Sequence, residues 1–121
     1  MKQQQLSSHF KRSEFVCCCG CSGFLCAYEL IDVLENVRTH FNSPVVINSG
    51  FRCVQHNKNV GGQPNSRHLR GDAADITVRG VAPKLVADYL ESQYPDKYGI
   101  GRYRTFTHVD VRPTLSRWGR N

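Results

Sequence analysis

Two histidines and an aspartate, spaced as His68, Asp75 and His108, constrain this 121-residue chain most, because they act together only if distant segments fold against one another. The stretch Ser66-Arg67-His68-Leu69-Arg70-Gly71-Asp72-Ala73-Ala74-Asp75 supplies one imidazole and one carboxylate, and Thr107-His108-Val109-Asp110 supplies the second imidazole. Three such groups fill three corners of a tetrahedron, and a fourth corner open to water separates a catalytic zinc site from a closed structural one. A metal held this way lowers the pKa of its bound water to about 7 and polarises a substrate carbonyl.

The surrounding segments decide whether the three can meet. Gly61-Gly62-Gln63-Pro64-Asn65-Ser66 is a dense breaker cluster, which puts His68 at the edge of structure rather than inside a long helix. This argues against an H-E-x-x-H peptidase, which needs both histidines on one helix. Residues 73–78 alternate as a strand, with Ala73, Asp75 and Thr77 on one face and Ala74, Ile76 and Val78 on the core face. Residues 98–103 and 106–111 read as a hairpin around Arg104-Thr105, with His108 and Asp110 on one face. His108 is then expected to meet Asp75 across a sheet. Asp72, at odd spacing from Asp75, points to the opposite side if the strand begins that early.

Leu30, Ile31, Leu34, Val37 and Phe41 follow a helical period within residues 25–41, ending before Asn42-Ser43-Pro44. Residues 45–48 read as a buried strand and residues 54–60 as a short helix. Pro83 suits the first position of a second amphipathic helix, with Leu85, Val86, Tyr89 and Leu90 inward and an end near Gln93. The expected fold class is α+β, a small antiparallel sheet flanked by helices. A polar arm over residues 1–13 is expected to precede a single domain over residues 14–121.

A net charge of +6 favours anionic partners such as nucleic acid, cell-wall polymers or membrane surfaces, without choosing among them. No run approaches the roughly 18 apolar residues of a membrane span, so no stable membrane insertion is expected. The first dozen residues lack the apolar stretch of a secretory signal, so synthesis in a cytoplasm without such a signal is expected. The six cysteines are Cys17, Cys18, Cys19, Cys21, Cys26 and Cys53. Reduced thiols, a second, cysteine-bound zinc and designed disulfides all stay open for them, although the spacing does not match a paired CxxC zinc ribbon.

The pattern S-x-H-x-x-G-x-A-x-D is matched by Ser66, His68, Gly71, Ala73 and Asp75. With Ser49-Gly50-Phe51-Arg52, the stretch Asn57-Lys58-Asn59-Val60-Gly61-Gly62, and His108-Val109-Asp110-Val111-Arg112 followed by Arg117-Trp118, the chain resembles the zinc D-Ala-D-Ala carboxypeptidase family. That family shares its fold with the hedgehog signalling domain, and the likeness covers most of residues 8–118. The opening His9-Phe10, Ser13-Glu14-Phe15 and Cys19-Gly20-Cys21 is similar to small members carried by bacteriophages and prophages.

The resemblance implies a hedgehog/DD-peptidase-like fold and one catalytic zinc on His68, Asp75 and His108. It also implies hydrolysis of peptidoglycan stem peptides, as a carboxypeptidase or related endopeptidase, by a phage or prophage enzyme reaching the wall after export, after lysis or within a virion. Arg52 matches an arginine placed beside the substrate, where its fork suits a peptide carboxylate or a developing oxyanion. Many members carry an acid or histidine shortly before the third ligand, whereas Tyr103, Arg104, Thr105, Phe106 and Thr107 include neither.

Asp110 is the candidate base in its place, sharing a strand face with His108. Its alternative role is to accept a hydrogen bond from the second ring nitrogen of a ligand histidine. Asp72 is a further candidate. Ser66 is read as bracing the loop that carries His68, and Gly71 as allowing its tight backbone. His9, His40 and His56 lack ligand spacing, and His40 suits a helix C-terminus. Tyr103 and Trp118 are read as rim or core packing, or as walls of a groove. Two other functions remain: a non-catalytic zinc-containing wall-binding module of the same fold, and a basic nucleic-acid binder, although no nucleic-acid partner is expected.

Overall fold

The structure, a computed structural model, describes residues 5–17, 24–63 and 65–119. Cys18, Cys19 and Cys21, together with Pro64 and residues 1–4 of the arm, lie outside the described residues.

Helix α1, Tyr28–Phe41, buries Leu30, Ile31, Val33, Leu34 and Val37 along one stripe, the spacing of an amphipathic helix laid on a core. It stops at Asn42, which takes the left-handed conformation at φ 49°, one that asparagine tolerates better than most residues. It also starts three residues later than its periodicity suggests. The backbone N–H of Ala27 donates to the Gly71 carbonyl at 2.9 Å, which draws the chain just before Tyr28 into an extended path and leaves Leu25 half exposed. Helix α2 is Val54–Asn59 and α3 is Pro83–Gln93. In α3 the buried set is Val86, Ala87 and Leu90, while Leu85 faces outward.

Five strands, β1 (Val45–Ser49), β2 (Ala73–Val78), β3 (Gly99–Arg102), β4 (Thr107–Asp110) and β5 (Ser116–Gly119), form one sheet in the order β1-β2-β4-β3-β5. The first four are joined antiparallel, and β5 adds to the edge of β3 in parallel. The expectation of a small antiparallel sheet therefore extends by one strand that sequence alternation does not reveal, because β5 has only four residues and little burial contrast. The pairing of β2 with β4 sets Asp75 opposite His108, and that of β3 with β4 sets Gly101 opposite His108.

Ala74, Ile76 and Val78 of β2, Ile100 of β3 and Val109 of β4 join the buried side chains of α1 and α3 in one core. The alternate positions, Asp75 and His108 among them, face the other way, as a period of two requires. No described helix is long and apolar enough to cross a membrane.

The polar stretch read as an arm carries an anchor. Phe10 and Phe15 are each only 1% exposed and meet edge to face at 6.0 Å within the core. Ahead of them, the Ser7 hydroxyl, the His9 backbone N–H at 2.8 Å and the His9 ring at 2.6 Å all converge on the Glu35 carboxylate of α1. Burial pushes the Glu35 carboxyl up, but the bonds from Ser7 and His9 outweigh it and hold it below its ordinary range. A lowered folded-state pKa stabilises above the unfolded carboxylate value and is lost as pH falls through the folded value. Glu35→Gln should therefore cost on the order of 1 kcal/mol at neutral pH, with the gap to wild type shrinking in acid. Urea denaturation midpoints of both proteins at neutral and acidic pH test this, and an undiminished gap in acid would contradict it.

Candidate metal centre

His68 sits in a single 3-10 turn, Arg67–Arg70, between the breaker loop and β2. The Ser66 hydroxyl accepts the His68 backbone N–H at 3.2 Å, and Gly71 ends the turn at φ 71°. A Cβ on Gly71 would lie 2.4 Å from the Leu25 backbone, so glycine is required both by conformation and by the strap that crosses it. The backbone N–H of Arg52 donates to the His68 carbonyl at 3.1 Å. These bonds aim the His68 ring at β2, where its Nε2 lies 3.3 Å from Asp75 Oδ1. Across the sheet, His108 Nδ1 lies 2.9 Å from the same oxygen. The ligand-capable atoms of His68, Asp75 and His108 all fall within 4.8 Å of one another, and all three residues are buried.

The far side of each ring identifies what this cluster is built to hold. His68 Nδ1 is 2.7 Å from the Gly50 carbonyl, and His108 Nε2 is 2.8 Å from Asp110 Oδ2. A carbonyl and a carboxylate only accept, so both far nitrogens carry hydrogen. In a neutral ring the near nitrogen then presents a lone pair to Asp75, which is repulsive unless a cation lies between them. Burial pushes the His108 pKa down, but Asp110 and Asp75 more than reverse it and hold the ring above its ordinary value. A divalent cation replaces that extra proton and satisfies both rings and the carboxylate together. Two imidazoles and a carboxylate suit zinc.

Asp75 is an anion in this setting. Burial raises its pKa, while the adjacent His108 and His68 rings outweigh that and hold it well below the usual carboxylate range. Its second oxygen, Oδ2, accepts from Arg52 Nη2 at 3.3 Å. Arg52 is oriented in turn by Ser49 Oγ and Asn57 Oδ1, each 3.2 Å away. Buried Asn57 also donates to the Gln63 carbonyl at 2.8 Å, tying the breaker loop to the arginine. Arg52, His68, Asp75 and His108 line one cleft with Arg67, Arg70 and Arg112, and with the rings of Tyr103, Phe106 and Trp118.

Asp110, read from its strand face as a base within reach of that cleft, is fully buried. Both its oxygens are engaged, Oδ2 by His108 Nε2 and by Arg112 Nη2 at 2.7 Å, Oδ1 by Arg112 Nε at 2.7 Å and the Gly99 N–H at 3.2 Å. Strand alternation predicts the side on which Asp110 lies, not its depth. Its geometry is that of an acceptor fixing the His108 ring. Asp72 is held by Arg67 and is not among the residues lining the cleft.

Arg112 stands in the closing His108–Arg112 stretch with no role of its own legible there, and the signal available for it was Gly99-Ile100-Gly101. A Cβ on Gly99 would lie 2.4 Å from Asp110 Oδ2, and one on Gly101 would lie 2.6 Å from the Trp118 ring. Trp118 packs on His108 with centroids 5.1 Å apart and donates from Nε1 to the Tyr103 hydroxyl at 2.9 Å.

The other histidines lie elsewhere: His9 pairs with Glu35, and His40 stacks on Tyr89 at 3.7 Å. The Cys53 backbone N–H donates to Cys17 Sγ at 3.4 Å, and burial pushes the Cys26 thiol up to about 11. Among the described residues, the only group of ligand-capable side chains close enough to share a metal is His68, Asp75 and His108.

Comparison with known proteins gives two matches. The sequence profile described as Peptidase M15 matches residues 8–110. A zinc D-Ala-D-Ala carboxypeptidase of Streptomyces albus G is 54% identical over 35 residues, which is 29% of this chain and 14% of that protein.

Zinc added at about a hundredfold excess over its Kd should stabilise the metal-free protein by roughly 2.7 kcal/mol. Magnesium, which prefers oxygen donors, should not substitute. Asp75→Asn should lose most of the zinc effect. Thermal melts with each metal read this out, and an equal response to both ions would argue against a nitrogen-rich site.

Proposed function

This chain belongs to the peptidase M15 family, and on that premise we propose that it is a zinc peptidase cutting peptidoglycan stem peptides. Either a D-Ala-D-Ala carboxypeptidase or a related endopeptidase fits the proposal. The observation that carries it is the convergence of His68 Nε2, Asp75 and His108 Nδ1 within one cleft beside Arg52. Zinc bound there supplies a Lewis acid that polarises the scissile carbonyl and lowers the pKa of a water to about 7.

The chain's own residues supply orientation and charge. Arg52, pinned by Ser49 and Asn57, presents a guanidinium beside Asp75 that pairs with a terminal carboxylate or with the oxyanion of a tetrahedral intermediate. The further arginines of the cleft favour an anionic peptide, and the rings of Tyr103, Phe106 and Trp118 offer apolar surface to its side chains. By the same family likeness the proposal includes a phage or prophage cell-wall role, with access to the wall by export, by lysis or from a virion.

One observation favours a second reading. Asp110 is sealed behind His108, and Asp75 is the one carboxylate among the described residues lining the cleft. A zinc-containing module that binds the wall without turnover would need no second acid. Digestion of purified peptidoglycan by zinc-loaded protein, followed by mass spectrometry of the muropeptides, separates the two. Hydrolysis should yield products whose masses name the bond, should vanish in His68→Ala, and should fall about 10²-fold or more in kcat/KM for Arg52→Met. An unchanged muropeptide profile from protein that still sediments with the wall would favour the binding module.

A further inference from the structure

We propose that Arg112 is a positioning residue for the metal centre, acting through Asp110 on His108. The inference rests on the zinc reading of the site and extends it to a residue whose hydrogen bonds go to Asp110 rather than to the three ligands.

Four observations carry it. Arg112 grips Asp110 with a two-pronged fork, Nε to Oδ1 and Nη2 to Oδ2, each at 2.7 Å, and its backbone N–H adds a third bond to Oδ1 at 3.2 Å. Asp110 is completely buried, and its Oδ2 is the oxygen that accepts from His108 Nε2. A single donor leaves a carboxylate free to swing, whereas a bidentate guanidinium fixes its plane and hence the direction of the His108 bond. The Arg112 guanidinium lies 5.3 Å over the Trp118 ring, and that ring packs on His108, so His108 is held from two sides by groups that Arg112 contacts.

The strand beneath is cut to fit this arrangement. Gly99 lies opposite Asp110 in the sheet, and a Cβ there would sit 2.4 Å from Asp110 Oδ2 and 2.7 Å from Arg112 Nε. Gly101 lies opposite His108, and a Cβ there would strike Trp118. Two side-chain-free positions on one strand face thus coincide with the two halves of the clamp.

The Arg112 charge is shared over both Asp110 oxygens, so the buried carboxylate is held in place as the acceptor of the ring hydrogen. Groups that orient a ligand histidine in this way typically change metal affinity by about 10- to 100-fold when removed.

The test is zinc affinity by chelator competition, together with the visible spectrum of the cobalt-substituted protein. The full chain is used without substrate, on variants whose metal-free circular dichroism matches wild type. Arg112→Met should weaken zinc binding about 10- to 100-fold and shift the cobalt bands. Arg112→Lys, which keeps the charge and loses the fork, should recover only part of the affinity. Gly99→Ala keeps every charged group, and should still weaken zinc by displacing the pair. If Arg112→Met does not fold, Arg112→Lys and Gly99→Ala carry the measurement.

Wild-type zinc affinity and cobalt bands in a folded Arg112→Met, with only KM for a peptide raised, would mean that Arg112 binds substrate and would overturn the proposal. Full rescue by Arg112→Lys would overturn the fork. A wild-type protein that binds no zinc would overturn this inference and the reading of the site together. Zinc-bound wild type without peptidase activity would count against the proposed function alone.

Discussion

The antiparallel pairing of β2 with β4, which sets Asp75 opposite His108, is the constraint on which the rest of the site depends. Facing residues in such a pair bring their Cβ atoms to about 4.5–5.5 Å, close enough for one ion to bridge a carboxylate and an imidazole. A slip of one residue would turn every side chain of the strand over. Here that would carry Asp75 into the space of Ala74 and Ile76 and bring apolar groups to the metal. The core therefore specifies the site: packing Ala74, Ile76 and Val109 inward leaves Asp75 and His108 no other direction to face. His68 then needs only a short turn, and it is tied to strand β1's end through Gly50 and to Arg52 through its own carbonyl.

Charge on the site face alternates outward from the centre. Asp75 lies between the two histidines, Asp110 behind His108, and Arg112 behind Asp110, while Arg52 covers the other oxygen of Asp75. Each buried carboxylate thus has cationic or hydrogen-bearing partners, without which its burial would cost several kcal/mol. The central gap between Asp75 and the two near nitrogens stands apart. There the tautomers imposed from behind leave acceptors facing an acceptor, a conflict that a cation resolves. The mismatch is local, and the bonds that create it, from Gly50 and Asp110, also hold the rings still.

Much of this was legible in the sequence, because it rests on short-range patterns. The alternation in residues 73–78 predicts a strand that turns Ala74, Ile76 and Val78 into the core, as it does, and the hairpin around Arg104-Thr105 appears as β3 and β4. The breaker cluster predicts His68 at the edge of structure, and it occupies a four-residue turn. What escaped depends on partners distant in sequence. Phe10 looks like one apolar residue in a polar stretch until it meets Phe15 in the core. Leu25 and its neighbours continue a helical period until Ala27 is drawn to the Gly71 carbonyl. Asp110 shares a face with His108, yet burial and a fork from Arg112 turn it away from the cleft, and no spacing rule carries that information.

Gly99 and Gly101 show how the two kinds of information combine. Glycine inside a strand is unfavourable on its own, since it adds backbone entropy and removes side-chain packing. In β3 both glycines face the site, with Ile100 between them packed fully into the core. The strand thus keeps its anchoring residue and gives up bulk only where Asp110, Arg112 and Trp118 need the volume. The core face supplies cohesion for a domain in which a few kcal/mol decide folding. The opposite face can then hold two buried carboxylates and an arginine fork, because the strands beneath them are fixed from the other side.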